Sequence, residues 1–169
     1  MCMYKIDDVV VYRRNVCRVV GQCTSDLTGE DCYILEPYSL QDGSTRMKVP
    51  VANKGGHLRD LITREEIDRL IGRFHTIECL ENKPANMKSQ YAALLKTDNI
   101  ADLIRIIKTS HSRNQARREA NRKMASVDDE YLQKAEKYLY AEIAVAMGMT
   151  FEESKEFFEN EVDRISVNQ

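Results

Sequence analysis

Asn53-Lys54-Gly55-Gly56-His57-Leu58-Arg59-Asp60-Leu61-Ile62-Thr63-Arg64-Glu65-Glu66 is the stretch on which the fold turns. Two adjacent glycines carry the largest backbone entropy penalty for regular structure, so they interrupt whatever precedes them. Seven residues later Thr63-x-x-Glu66 forms a capping box, in which a threonine hydroxyl and a glutamate satisfy amide donors at a helix start. Before this stretch the chain reads as short strands separated by turns, and after it as helix. The reading is α+β, with a β-rich domain at 1–54, a linker at 55–62 and an all-α helical domain at 63–169.

Working back from the glycines, Thr45-Arg46-Met47-Lys48-Val49-Pro50 reads as a strand. Successive side chains alternate across a strand, so Arg46 and Lys48 share a face. Asp42-Gly43 is a hairpin signal ahead of it. Cys32-Tyr33-Ile34-Leu35-Glu36-Pro37, Val16-Cys17-Arg18-Val19-Val20 and Val9-Val10-Val11-Tyr12 are further strands. The last two are joined by Arg13-Arg14-Asn15, where Asn15 suits a left-handed turn conformation. Four or five short strands in about 50 residues predict a small, strongly bent sheet or an SH3-like barrel.

Working forward, a short helix runs through Ile67, Leu70 and Ile71. Pro84 precedes a second, with Tyr91, Leu94 and Leu95. Asp98 is placed to cap a third, whose Ile100, Leu103, Ile104 and Ile107 form an apolar stripe at i, i+3, i+4, i+7 and belong in the core. Residues 112–124 have almost no apolar stripe. Arg113 and Arg117 share a helical face there, as do Arg118 and Arg122. A helix that polar is exposed or meets something charged. Ser126-x-x-Asp129 opens a longer helix that stops at Gly148, and Thr150-x-x-Glu153 opens the last, with Phe157 and Phe158.

The charge is divided along the helical part. Residues 85–126 carry nine Lys/Arg against three Asp/Glu, a net of +6, and residues 127–169 carry four against eleven, a net of −7. The whole chain is at −2, so any polyanion attraction is local and acts within about 10 Å at 0.1 M salt. The acidic section is a candidate intramolecular mimic of a polyanion, held against the basic helix.

No catalytic constellation stands out. His57, His75 and His111 are scattered without a matched nucleophile or ligand spacing. There is no phosphate-binding glycine loop and no H-E-x-x-H. Asp128-Asp129 sits where the positive end of a helix dipole favours carboxylates. The five cysteines (Cys2, Cys17, Cys23, Cys32, Cys79) are odd in number and lack a C-x-x-C pair, which points to reduced thiols in the cytosol and no metal site. No leader is read at Met1, and no apolar run approaches the ~20 residues of a membrane helix. The expectation is a non-enzymatic, cytoplasmic protein without cofactor.

Two stretches resemble the bacterial CarD/CdnL family of RNA polymerase-binding transcription regulators. Asp8-Val9-Val10-Val11-Tyr12 with Asn15-Val16-Cys17-Arg18-Val19 looks like the opening strands of that family. Lys134 through Gly148, with its small residues and glutamates, resembles the C-terminal helix, and Ile104-x-x-Ile107-Lys108 fits the connecting helix. The resemblance implies a Tudor-like or SH3-like N-terminal domain bound to the polymerase β subunit, and a helical bundle on promoter DNA near the upstream edge of the melted region. It implies modulation of open-complex stability, with no enzymatic activity, in a nucleoid-associated protein that is a monomer on polymerase.

The polymerase contacts implied by the resemblance fall on Arg46, Lys48, Val49 and Pro50, with Lys48 the closest match to a basic residue before a Val-Pro. Family members place a Trp wedge four residues before a Tyr. This chain has no Trp, and Met87 holds that position before Tyr91, with Lys88 after it. Phosphate contacts are expected from Lys88, Arg113, Arg117, Arg118 and Arg122, giving non-specific, salt-sensitive binding through the backbone and minor groove. The alternative is an interaction adaptor whose basic helical face binds an acidic protein.

Overall fold

The computed structural model describes residues 3–123 and 125–167; Cys2 and Met124 lie outside the described residues. It divides into two units, Met1–Leu61 and Ile62–Gln169, each with its own apolar core. The architecture is α+β.

The first unit is one five-stranded antiparallel sheet, built from β1 (Val9–Tyr12), β2 (Asn15–Thr24), β3 (Asp31–Pro37), β4 (Met47–Pro50) and β5 (Leu58–Asp60) in the order β4-β3-β2-β1-β5. It is open, with β4 and β5 as its edges. Val10, Cys17, Val19, Tyr33, Leu35, Val49 and Leu58 make the core of this unit. They share one face because a strand turns successive side chains to opposite faces, although Val11, Cys32 and Glu36 beside them are buried as well.

Two details correct the sequence reading. The expected linker 55–62 contains β5, because Leu58, Arg59 and Asp60 pair with Tyr12, Val11 and Val10. The Tyr12↔Asn15 register leaves Arg13 and Arg14 as the two central turn residues, at φ 46° and 74°. A two-residue hairpin matching the twist of its strands needs positive φ at both central positions. Register, rather than residue preference, therefore puts the strained conformation on the arginines and leaves Asn15 in β2.

The second unit holds α1 (Arg64–Arg73), a 3-10 turn at Phe74–Thr76, a second at Pro84–Asn86, then α2 (Met87–Leu95), α3 (Ile100–Glu119), α4 (Ser126–Met147) and α5 (Phe151–Val167). α3 packs along α4, α4 against α5, and α5 also against α1. Leu103, Ile104 and Ile107 of the apolar stripe are buried, with Ile100 packed beside them.

Side-chain caps open α1, α3 and α5, whereas α4 begins after Ala125 without one, so Ser126 is its first residue rather than the expected cap. The Thr63 hydroxyl accepts from Glu66 N–H (3.2 Å). At Thr150 the box is reciprocal: Glu153 N–H donates to the Thr150 hydroxyl (3.1 Å) and Thr150 N–H to the Glu153 carboxylate (3.4 Å). Asn99 caps α3, accepting from Ala101 N–H (3.0 Å), in place of the expected Asp98. Glu142 of α4 is 1% exposed and accepts Ile62 N–H at 2.9 Å, which fixes the chain where it enters α1.

α4 ends at Gly148, with φ 66° and ψ 38°. A Cβ there would meet open space, so only the left-handed backbone resists substitution. Gly148→Ala is expected to lower stability by about 1 kcal/mol. The check is the urea midpoint by circular dichroism, with the slope unchanged.

Candidate functional site: an edge strand and a basic helix end

In the β unit, β4 uses one side to pair with β3, through Ile34↔Lys48 and Tyr33↔Val49, and is an edge of the sheet. Val49 is buried in the core, whereas Lys48 and Pro50 are exposed. β4 begins at Met47, so Arg46 lies just before it. Arg46 Nε reaches the buried Glu36 carboxylate at 3.9 Å, and Arg18 Nη2 donates to the same carboxylate at 3.0 Å. Arg18 Nη1 also bridges to Asp7 at 2.7 Å. Glu36 and Ile34 are two apart on β3 and so share a face, which places Arg46 and Lys48 on that face too. Lys48 makes no ion pair among the described residues. Its ammonium is exposed beside the outer edge of β4.

In the helical unit the expected DNA residues separate. Met87 is 1% exposed, inside the core with Tyr91, and Gln90 Nε2 sits 3.5 Å from its sulfur. The structure therefore corrects the wedge: Met87 is a packing residue. α2 is short, and its tyrosine anchors the same face that Met87 occupies one turn earlier. Lys88 points to solvent.

Arg113 and Arg117 are not available as a bare basic face. Asp128, in the first turn of α4, is fully buried and accepts from Arg113 Nε (3.0 Å), Arg117 Nη1 (2.5 Å) and the Tyr91 hydroxyl (2.6 Å). Arg113 also donates to Asn82. Burial and this hydrogen bond to Asp128 raise the Tyr91 pKa, so the phenol stays a donor. Dipole capping alone does not describe Asp128: its carboxylate joins α3 to the start of α4 through two guanidiniums and a phenol.

The Arg118/Arg122 pairing on one helical face is corrected as well. α3 stops at Glu119, Asn121 takes φ 54°, and Arg122 N–H bonds back to Arg117 O at 2.7 Å. Asparagine tolerates that left-handed position and ends the helix. Arg122 thus lies past the helix end, exposed like Arg118 and Lys123. A depression of about 220 Å3 joins Asn82 and Pro84 to Arg113, Arg117 and Arg122.

Sequence reasoning missed the position of the histidines: His75 and His111, far apart in the chain, line one cleft. Nothing in their local sequence signals it. Cys17 is buried and its thiol is pushed up to about 11 by that burial, which fits a packing role. Among the described residues no group of three His, Cys, Asp or Glu is placed to hold a metal ion, and no helix is long and apolar enough to cross a membrane. Comparison with models of known protein families and with curated proteins finds no match.

Proposed function

We propose that this protein is a non-enzymatic bacterial transcription regulator that docks on the RNA polymerase β subunit through β4 and meets promoter DNA through the end of α3. The observation that carries the reading is the unpaired edge of β4 with exposed Lys48 upon it. An open edge offers backbone donors and acceptors to a partner strand, and a cation at its rim sets register and charge preference. A Tudor- or SH3-like bend of the five-stranded sheet belongs to the same proposal, as does a cytoplasmic, nucleoid-associated location.

On the helical side, Lys88, Lys96, Arg118, Arg122 and Lys123 are the exposed cations of the net-positive section. Arg113 and Arg117 add less, because Asp128 already neutralises part of their charge. Direct DNA affinity is therefore weak, and tethering to polymerase raises the effective concentration enough for it to act. That neutralisation weakens attraction to any anionic partner alike, so it leaves open the second reading, an adaptor whose basic helical face binds an acidic protein. Competition by duplex DNA separates the two.

The test is a pull-down of core RNA polymerase, or of its isolated β-subunit lobe, with the full chain. Lys48→Glu is expected to weaken capture at least about tenfold, as expected when a like charge faces a complementary rim. Arg46→Glu/Lys48→Glu is expected to abolish capture. The single variant guards against local unfolding, since Arg46 also touches Glu36. A folded wild type that captures nothing would sink the docking proposal.

A further inference from the structure

A cleft of about 280 Å3 in the helical unit is lined by Phe74, Ile107, Tyr140 and Phe158, with Glu159 and Asp163 at its rim. We infer that it binds a small organic cation with a short apolar stem, an arylalkylammonium in shape.

Three observations converge on that chemistry. The lining is aromatic: the Tyr140 and Phe158 rings meet edge to face at 5.9 Å, and the Phe74 and Phe158 rings at 6.1 Å. Such rings take an apolar stem and attract a cation to their faces. Glu159 and Asp163 stand four residues apart on α5, so they share a face. Both are exposed, and neither makes an ion pair among the described residues.

The third observation is Tyr140. It lines the cleft, its ring is buried at 2% exposure, and its hydroxyl makes no hydrogen bond to the protein among the described residues. An ammonium in the cleft has an acceptor there, because the phenolic oxygen accepts. Burial raises the Tyr140 pKa, and the charges of Glu159 and Glu136 raise it further. The oxygen therefore keeps its proton and sits in a field that favours a cation.

The neighbouring basic groups are already engaged. Lys108 Nζ donates to the Phe74 and Ile77 carbonyls, and Lys155 Nζ pairs with Glu136 at 2.8 Å. His75 Nε2 lies 2.7 Å from the Ser166 hydroxyl, and His111 Nε2 is 3.9 Å from Glu136. The volume suits a ligand of roughly ten non-hydrogen atoms, which favours a free amine over a folded partner.

The test is a methyl-labelled NMR titration of the full chain at pH 8 with phenethylammonium. Saturable shifts of the Ile107 and Val162 methyls are expected, with none from 3-phenylpropanoate or 2-phenylethanol. Glu159→Gln/Asp163→Asn, confined to exposed positions, is expected to weaken binding at least about fivefold. Tyr140→Phe is expected to weaken it while the protein stays folded, which a purely structural tyrosine would not produce. Equal shifts with the anion or the alcohol would mark an apolar crevice only and overturn the inference. Unchanged affinity in the acidic double variant, or no response at all, would do the same. A response to acetyl-Gly-Phe-Lys-Gly-amide with none to the free amine would make the cleft a polypeptide groove, and would also overturn it.

Discussion

Asp128→Ala is expected to destabilise the helical unit by about 3–5 kcal/mol. Asp128 is fully buried and receives hydrogen bonds from two guanidiniums and a phenol. Removing it leaves Arg113, whose side chain is 9% exposed, without its counter-charge, and leaves the buried Tyr91 hydroxyl with only Ser110 at 3.3 Å. Losing one partner of a buried pair costs far more than losing both. Asp128→Leu/Arg113→Met/Arg117→Met, which replaces the whole network by apolar groups, is therefore expected to recover most of the loss. Urea unfolding followed by circular dichroism checks both. A single-variant effect below about 0.5 kcal/mol, typical of a surface substitution, would mean that the network does not hold α3 to α4.

That carboxylate also marks how far the sequence was legible. Its place in the first turn of a helix follows from local pattern, as do the strand runs, the Thr63 and Thr150 caps, and the Ile100–Ile107 stripe. Each is written in residues within one or two turns of one another. Whether Asp128 faces solvent or turns inward depends on Arg113 and Tyr91, 15 and 37 residues away. β5 was illegible for the same reason: Leu58–Asp60 is a strand because β1 is beside it. Met87 was ambiguous because a nine-residue helix with apolar residues on several sides does not announce its buried face. The exposed side of β4 was the readable part of the candidate site. Lys48 alternates with Val49, and the pleat settles which of them reaches solvent.

The acidic section gives the sharper lesson, and the second large effect. Read by charge alone, residues 150–169 look like a detachable tail. In the structure Phe158 and Val162 of α5 are buried in the helical core, and the Ser154 hydroxyl donates to Tyr140 O at 2.9 Å. Phe158→Ala is expected to cost about 3–5 kcal/mol, the cavity left by a large aromatic adding to the lost transfer energy. Phe157, next in sequence, is only partly buried and lies under the Arg64 guanidinium at 5.3 Å. Phe157→Ala is expected to cost no more than about 1 kcal/mol, the scale of an exposed cation–π contact with modest burial. The two variants remove the same atoms from adjacent positions, so their difference in urea midpoint isolates packing from composition. Equal midpoints would mean that α5 does not dock as described. A large difference means that a chain cut before Thr150 loses the folded helical unit, so a mimicry role for the acids has to be tested by neutralising exposed positions such as Glu152 and Glu156, where charge changes and the core does not.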